Sequence, residues 1–378
     1  MKRIGAKYLT LVSKTEGRIG SFHSPGTHTM PFPCTKPNLW IRTVAGPSIG
    51  FGHLRRSVTL ARMLSDVLHP VFICNPLDHW TQDEASRQGW SCAALETVSL
   101  WSNRPTPAGL LIDTREETGL ASLIGEARSR AVPVLSIHDL GLNPLPSDVA
   151  FDGSIFPVTR DFPRRDTSFY TGTAYLVLDP AFSMLHQQRK RVREKIQSVL
   201  VNLGGGESRR YFEKALEGLQ AWGHELEVVG CPGFTRWGQE ELAGRDWNPI
   251  SFRWAERSDA VERLLFRADL AITAGGLASF EAMCVGTPLL ALSYDGFQHF
   301  TISMLAKAGA CIDLGEGDLL RPAAIPPILT ALDEVPGQRE RLSFHGRQIV
   351  DGRGAERVSR VIRRLVGENG VVARPMVI

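Results

Sequence analysis

The sequence predicts an α/β protein with two domains, each a mostly parallel sheet covered by helices on both faces. The chain has 378 residues, which suits two domains of about 150 residues each. Apolar, strand-like runs alternate with helical patterns along most of the chain, and three of these runs end in glycine-rich turns that lead into a helix. Ligands bind such sheets at the carboxyl ends of the strands. We therefore expect two doubly wound domains that face each other across a ligand-binding cleft.

The first 38 residues are predicted to form a poorly ordered extension. They mix polar residues, glycine and proline without the periodicity of a helix or a strand. The apolar stretch from Tyr8 to Val12 is too short for the core of a secretory signal. Met30 lies shortly before the first predicted strand, so translation from Met30 is an alternative to translation from Met1.

Residues 39–180 are predicted to form an N-terminal, Rossmann-like domain. Its strands are expected at 40–45, 70–74, 109–113, 132–137, 149–151 and 174–178, and its helices after positions 52, 80 and 118. Residues 181–197 are charged and follow Pro180, so they are predicted to link the domains. The basic cluster at 189–195 is most simply a solvated surface, and peripheral contact with a membrane stays open as the alternative.

Residues 198–378 repeat the alternation and are predicted to form a C-terminal, Rossmann-like domain. Strands are expected near 198–203, 225–229, 270–274, 289–293 and 310–313. Helices are expected near 209–222, 257–267, 277–286, 297–308, 322–333 and 355–366.

The bulk composition limits the function classes. A formal net charge of +3 is small for this length and argues against nucleic acid as a partner. The six cysteines have no close pair and no metal-ligand spacing, so we expect a reducing, cytoplasmic setting without disulfides. Cys74 and Cys284 lie in apolar runs and are expected to be buried. The sequence has no apolar run long enough for a membrane span, and it does not indicate the oligomeric state.

The first glycine turn follows the strand at 41–45 and contains Gly50 and Gly52. An amphipathic helix follows it, and His53 and Arg56 lie in the first turns of that helix. Glycine lets the backbone approach a ligand closely because it has no Cβ atom.

The second and third glycine turns lie in the second half of the chain. The second turn carries Gly204 and Gly205, and the third precedes a short helix. The residues of the third turn and its helix that we assign to a phosphate or nucleotide are Gly275, Gly276, Leu277, Ala278 and Glu281. The unpaired amides and dipole at a helix start bind phosphate well, and Glu281 lies where it could reach ribose hydroxyls. We assign Gly50, Gly52, Gly204 and Gly205 to the same nucleoside diphosphate site.

These motifs, in this order, resemble the nucleotide-sugar enzymes of the GT-B fold. The resemblance extends from about residue 40 to about residue 310, and the segments that carry it are Gly50-Phe51-Gly52-His53-Leu54-Arg55-Arg56, Asn202-Leu203-Gly204-Gly205-Gly206, Ala274-Gly275-Gly276 with Glu281, Gly286-Thr287-Pro288, Gln298 and the stretch from Thr173 to Phe182. The chain is most similar to the UDP-sugar hydrolase of pseudaminic acid biosynthesis and its relatives among spore-coat glycosyltransferases. It is more distantly similar to the N-acetylglucosaminyltransferase that forms lipid II. The resemblance implies a UDP-sugar substrate.

His53 and Asp113 are the candidate catalytic residues. A histidine titrates in the range useful to a general base, and the resemblance implies a catalytic role for the histidine of this turn. The competing interpretation of His53 is a helix cap or surface residue. Asp113 ends an apolar strand and should point into the cleft as a sugar-binding group or second base. The N-cap of the next helix is the alternative for Asp113.

The remaining candidates contact the sugar or phosphate. Arg56 is assigned to the sugar or its phosphate, with a surface salt bridge as the alternative. Gln298 matches a family glutamine near the sugar, although Phe297 stands where the hydrolase relatives usually have asparagine. The resemblance implies ribose binding by Glu281, and an exposed helix position is its alternative. His138 and Asp139 follow another strand and have a weaker claim.

The sequence therefore predicts an enzyme that cleaves a nucleotide-sugar at the anomeric carbon. Water is the expected acceptor, as in the hydrolases, and the alternative is transfer of the sugar to an acceptor hydroxyl or amine, as in a glycosyltransferase. A third hypothesis is a non-catalytic nucleotide-sugar-binding subunit. Because helix N-termini can stabilise the leaving diphosphate, and nothing resembles an Asp-x-Asp metal motif, we expect no metal and no cofactor.

Overall fold

The computed structural model describes residues 36–366, apart from 47–48, 96–99, 103, 117, 140–143, 157–165, 206–207, 234–238 and 257–258. The predicted N-terminal extension lies almost wholly outside the described residues. The described residues belong to one compact unit.

The first sheet contains seven strands among the described residues, all paired in parallel, in the order β3-β2-β1-β4-β5-β6-β7. The strands are β1 (Asn38–Thr43), β2 (His69–Cys74), β3 (Ser91–Ala94), β4 (Gly109–Asp113), β5 (Val134–His138), β6 (Val149–Asp152) and β7 (Ser168–Thr171). The helices that connect them are α1 (Gly52–Leu64), α2 (His79–Arg87) and α3 (Leu120–Ser129). Helix α4 (Pro180–His186) follows the sheet and occupies part of the predicted linker.

The second sheet contains six parallel strands in the described part of the chain, in the order β10-β9-β8-β11-β12-β13. They are β8 (Ser198–Asn202), β9 (Leu226–Gly230), β10 (Ile250–Trp254), β11 (Leu270–Ala274), β12 (Leu289–Ser293) and β13 (Ile312–Glu316). The helices are α5 (Arg209–Ala221), α6 (Gln239–Ala243), α7 (Val261–Arg267), α8 (Leu277–Val285), α9 (Gly296–Lys307), α10 (Ile325–Glu334), α11 (Pro336–Ile349) and α12 (Gly354–Val366). The prediction of two parallel sheets with helices is confirmed.

The predicted strand at 174–178 is wrong. A short 3-10 helix covers Thr173–Tyr175, and the seventh strand of the sheet is β7 instead. The apolar run is buried without joining a sheet, because Val177 packs in the core of the first sheet while Leu176 and Leu178 pack in a core of the second. Burial on alternating sides gives the same sequence pattern as a strand.

Strands β3 and β10 and helices α6 and α11 were not predicted. Strand β3 spans four residues at the edge of its sheet, and only Ala93 in it is buried. Short edge strands carry little hydrophobic pattern, which explains the omission. Helix α11 has the polar sequence PGQRERLSFHGRQI, with few buried positions.

Helix α12 returns to the first sheet at the end of the described chain. Its apolar face, including Val358 and Ile362, packs in the core around α1, and Arg363 donates a hydrogen bond to Asp66, just beyond the end of α1. The domain boundary predicted at 181–197 stays a prediction. Helix α12 belongs to the predicted C-terminal domain by sequence, yet it packs on the first sheet.

Two further predictions concern the burial of cysteines and membrane-spanning helices. Cys74 and Cys284 are buried, as predicted. Within the described ranges, no helix combines the length and apolar character that crossing a membrane requires.

Candidate functional site

A cavity of about 920 Å³ lies between the carboxyl ends of the two sheets. All three predicted glycine turns contribute to its walls. The predicted site residues that line it are Gly50, Gly52, His53, Arg56, Gly204, Gly205, Gly275, Gly276, Leu277, Ala278, Glu281 and Gln298. The topology explains this convergence, because β1, β8 and β11 are central strands whose carboxyl ends point toward the same cleft.

Two helices direct their N-termini at the cavity. Helix α1 begins at Gly52 and helix α8 begins at Leu277, and neither has an acidic residue in its first turn or a side chain that caps its amides. The first amides of a helix have no intrahelical acceptor, and the dipole adds positive potential. The cavity therefore offers anion-binding groups from both sides.

The glycines of the turns are needed for different reasons. Gly50 and Gly204 have positive φ angles of 85° and 82°, a conformation that glycine adopts without strain. A Cβ on Gly205 would lie 2.8 Å from the backbone nitrogen of Phe51, so this glycine lets the two sides of the cleft approach. A Cβ on Gly276 would meet nothing within 4 Å, which leaves space for a ligand beside the start of α8.

His53 and Asp113 form a buried pair at the first sheet. His53 Nδ1 lies 2.7 Å from Asp113 Oδ1, and the two residues are 7% and 0% exposed. An ionised carboxylate can only accept, so Nδ1–H donates to Asp113 and Nε2 is left as a proton acceptor. This tautomer follows from the hydrogen-bond partner.

The structure corrects two interpretations of these residues. His53 is neither a surface residue nor a cap, because it is buried and α1 has no side-chain cap. Asp113 does not point into the cleft and is not the N-cap of α3, whose N-cap is Gly119. Asp113 lies behind His53, where the imidazole and a guanidinium occupy both of its oxygens.

Arg56 joins two carboxylates beside the imidazole. Its Nε and Nη2 atoms donate to Asp113 at 3.0 and 2.7 Å, and its Nη1 and Nη2 atoms donate to Asp139 at 2.5 and 3.1 Å. Arg56 is 6% exposed, so the surface salt bridge is wrong. Most of its donors are engaged by protein groups rather than directed at a ligand.

The charges around Arg56 compensate one another. Burial would lower the pKa of Arg56, but Asp113 and Asp139 more than offset it and hold this pKa well above its ordinary value. Burial would raise the pKa of Asp139, and the charge and hydrogen bond of Arg56 reverse that effect and keep it below its ordinary value. Both groups are therefore charged at neutral pH.

Glu281 extends from α8 toward α1. It is 4% exposed, so the exposed position considered from sequence is wrong. Its Oε1 atom accepts a hydrogen bond from Arg55 at 3.4 Å, and its Oε2 atom is buried without a partner among the described residues. Burial raises the pKa of Glu281, and Arg55 only partly counteracts this effect.

The side-chain amide oxygen of Gln298 is hydrogen-bonded within the protein. Its Oε1 atom accepts from the Tyr294 amide at 3.1 Å, and its own backbone amide donates to Asp295 at 2.8 Å. The side-chain NH₂ is thus the group that can meet a ligand oxygen. Phe297, beside it, lines the cavity and is 49% exposed.

Sequence reasoning missed Arg55 and ranked Asp139 too low. Asp139 follows β5 as Asp113 ends β4, and neighbouring parallel strands bring their ends together. That position was the signal that could have raised its rank. No local pattern in the sequence pairs Arg55 with Glu281, since the two residues are far apart in the chain.

The chain is similar in sequence to a spore coat protein and similar in fold to solved glycosyltransferase structures. No family model matches it. The spore coat polysaccharide biosynthesis protein SpsG of Bacillus subtilis is 27% identical over 263 residues, or 68% of this chain and 74% of SpsG. The calicheamicin glycosyltransferase CalG4 aligns with a TM-score of 0.60 and 15% identity, over 87% of this chain and 97% of CalG4. UGT2 of Phytolacca americana, complexed with UDP-2-fluoro-glucose and pterostilbene, aligns with a TM-score of 0.56 and 14% identity, over 90% of this chain and 97% of UGT2.

The two parallel sheets and the cleft between them thus define the GT-B fold of glycosyltransferases. Within that fold the chain is similar in sequence to SpsG. The resemblance to GT-B enzymes and to the spore-coat group is confirmed.

Proposed function

We propose that this protein is a glycosyltransferase that transfers a sugar from a UDP-sugar to an acceptor. The observation that carries this proposal is the position of the His53–Asp113 pair in the same cavity as the open helix start at Gly276. One side of the cleft supplies a general base and the other supplies groups for a diphosphate. Residues 39–180 and 198–378 are proposed as the two domains, with the nucleotide-sugar on the second.

The donor is held mainly by α8 and the loop before α9. The amides at Leu277 and Ala278 bind phosphate oxygens, and the Glu281 carboxylate accepts from ribose hydroxyls, for which its Oε2 atom has free capacity. Gln298 directs its NH₂ group at an oxygen of the sugar or phosphate. The assignment to uridine rests on the sequence resemblance and on the UDP-sugar bound to the similar UGT2.

The chemical step needs one proton transfer and one departing anion. His53 Nε2 takes the proton of the acceptor hydroxyl as its oxygen bonds to the anomeric carbon. The bond from that carbon to the phosphate oxygen breaks, and UDP leaves with the electron pair, stabilised by the helix amides. Asp113 stabilises the imidazolium that forms, because its carboxylate accepts from Nδ1–H.

Hydrolysis of the UDP-sugar is the second candidate function. The Gly50-Phe51-Gly52-His53-Leu54-Arg55-Arg56 turn resembles that of the hydrolases, and water would replace the acceptor in the same step. The similarity to a named glycosyltransferase supports transfer instead. A non-catalytic binding subunit is the third hypothesis.

Two measurements test the proposal. Thermal shift against UDP, CDP, GDP, ADP and TDP identifies the nucleotide, since a ligand at a hundredfold excess over its Kd stabilises the fold by about 2.7 kcal/mol. Release of UDP and of free sugar from UDP-sugars is then measured without an acceptor. Slow release supports transfer, rapid release of both products in equal amounts supports hydrolysis, and no shift with any nucleotide contradicts both enzymatic functions.

A further inference from the structure

Arg56 is close enough to His53 to affect its protonation. Its Nη2 atom lies 2.9 Å from His53 Nδ1, the same nitrogen that faces Asp113 at 2.7 Å. A guanidinium has only donors, so it cannot bond to a protonated Nδ1. It acts there as a like charge toward the imidazolium and as a competitor for the shared Asp113 oxygen.

Asp139 opposes the effect of the Arg56 charge on His53. Its carboxylate holds the other edge of the Arg56 guanidinium with two hydrogen bonds and adds a negative charge to the same group of residues. Asp139 is itself about one-third exposed and lines the cavity. Removal of the Asp139 charge would leave Arg56 less well compensated, although its two hydrogen bonds to Asp113 would still hold it.

The other charged groups near His53 do not reproduce this arrangement. Arg115 Nη2 lies 3.7 Å from Asp139 Oδ2, the oxygen that also accepts from Arg56, but its side chain is 46% exposed, so solvent weakens its influence. Across the cleft, Arg55 and Glu281 pair with each other. A strong and geometrically fixed influence on the imidazole therefore comes from Asp113, Arg56 and Asp139.

The geometry points to Arg56 and Asp139 as a pair of positioning residues that set the protonation of His53 in opposite directions, which rests on the proposed role of His53 as the base. The Arg56 guanidinium lies against the His53 ring as a positive charge and shares its Asp113 oxygen. Asp139 limits that effect and fixes the guanidinium against Asp113. Neither residue needs to touch the reacting atoms.

Histidine titration by NMR tests this without any substrate. The His53 signal is identified by its absence in His53→Gln. We expect Arg56→Met to move the midpoint of this signal to higher pH by roughly one pH unit, as is usual for a charge within about 4–6 Å. Asp139→Asn, which acts through Arg56, should move it to lower pH by a smaller amount. Arg353→Met and Glu356→Gln are matched controls, since they change the same charges in an exposed ion pair at the start of α12.

The conservative variant Arg56→Lys keeps the positive charge and should keep the midpoint closer to that of the wild type than Arg56→Met does. A purely structural role predicts unmoved midpoints, or shifts in the same direction for Arg56→Met and Asp139→Asn, and either result overturns the inference. If Arg56→Met does not fold, a downward shift in Asp139→Asn supports the inference and an unmoved or upward one overturns it. Opposite shifts in a protein that turns over no UDP-sugar would remove the proposed function while leaving the electrostatic pair established.

Discussion

Arg55 of α1 and Glu281 of α8 are hydrogen-bonded across the cleft, with 3.4 Å between Nη1 and Oε1. The pair is asymmetric, since the Arg55 side chain is 54% exposed and that of Glu281 is 5% exposed. A buried carboxylate that keeps one oxygen unpartnered in the described structure is costly unless a ligand uses it. Glu281 is therefore arranged for binding rather than for stability.

Glu281→Gln should weaken UDP binding and stabilise the free protein. Loss of a charge-assisted hydrogen bond costs about 1.5–3 kcal/mol, or roughly 10-fold to 150-fold in Kd by calorimetry. Burial raises the pKa of Glu281 in the fold, so the folded state binds more protons than the unfolded state between the two pKa values. Stability consequently falls as pH rises through that window, and the glutamine variant should lose this fall. Equal UDP affinity in both proteins would contradict ribose binding by Glu281.

His53→Ala should reduce turnover by at least about a hundredfold, the lower range for general acid–base catalysis. UDP affinity should change little, because the nucleotide is proposed to bind on the other side of the cleft. Steady-state release of UDP measures the first effect and thermal shift the second. His69→Ala, at an exposed position, is the control, and retained turnover in His53→Ala would contradict the role of His53 as the general base.

Gly276→Ala should fold normally and lose nucleotide affinity by at least about tenfold. The added methyl group meets no protein atom within 4 Å, so it would occupy the space proposed for phosphate beside the first amides of α8. Gly125→Ala in α3 is also free of contacts within 4 Å and does not line the cavity. Unchanged UDP binding by the Gly276 variant would place the diphosphate elsewhere.

Turnover should be insensitive to a metal chelator. The proposed stabilisation of the leaving diphosphate comes from helix N-termini and requires no divalent ion. UDP release is measured after dialysis against EDTA, with and without added magnesium or manganese. Complete loss with EDTA and recovery with either ion would show that a metal carries the negative charge instead.

Much of the site could be predicted from the sequence because each glycine turn is a short, local feature of the chain. Each glycine turn lies between a strand and a helix that are adjacent in the chain, so the position of Gly276 or His53 at a helix start is visible without a fold. Parallel strands then place all such turns at one edge. Twelve of the thirteen predicted site residues line the cavity for this reason, and the exception, Asp113, lies directly behind His53.

Only the tertiary structure decided which of these groups act on one another. The pairs Arg56–Asp139 and Arg55–Glu281 join residues 83 and 226 positions apart, and no short-range pattern records such contacts. The same limit explains the segment at 174–178, where Leu176, Val177 and Leu178 are buried alternately in two different cores rather than in a sheet. Strand and helix identity depend on neighbouring residues, whereas charge pairing and burial depend on which distant surfaces the completed fold brings together.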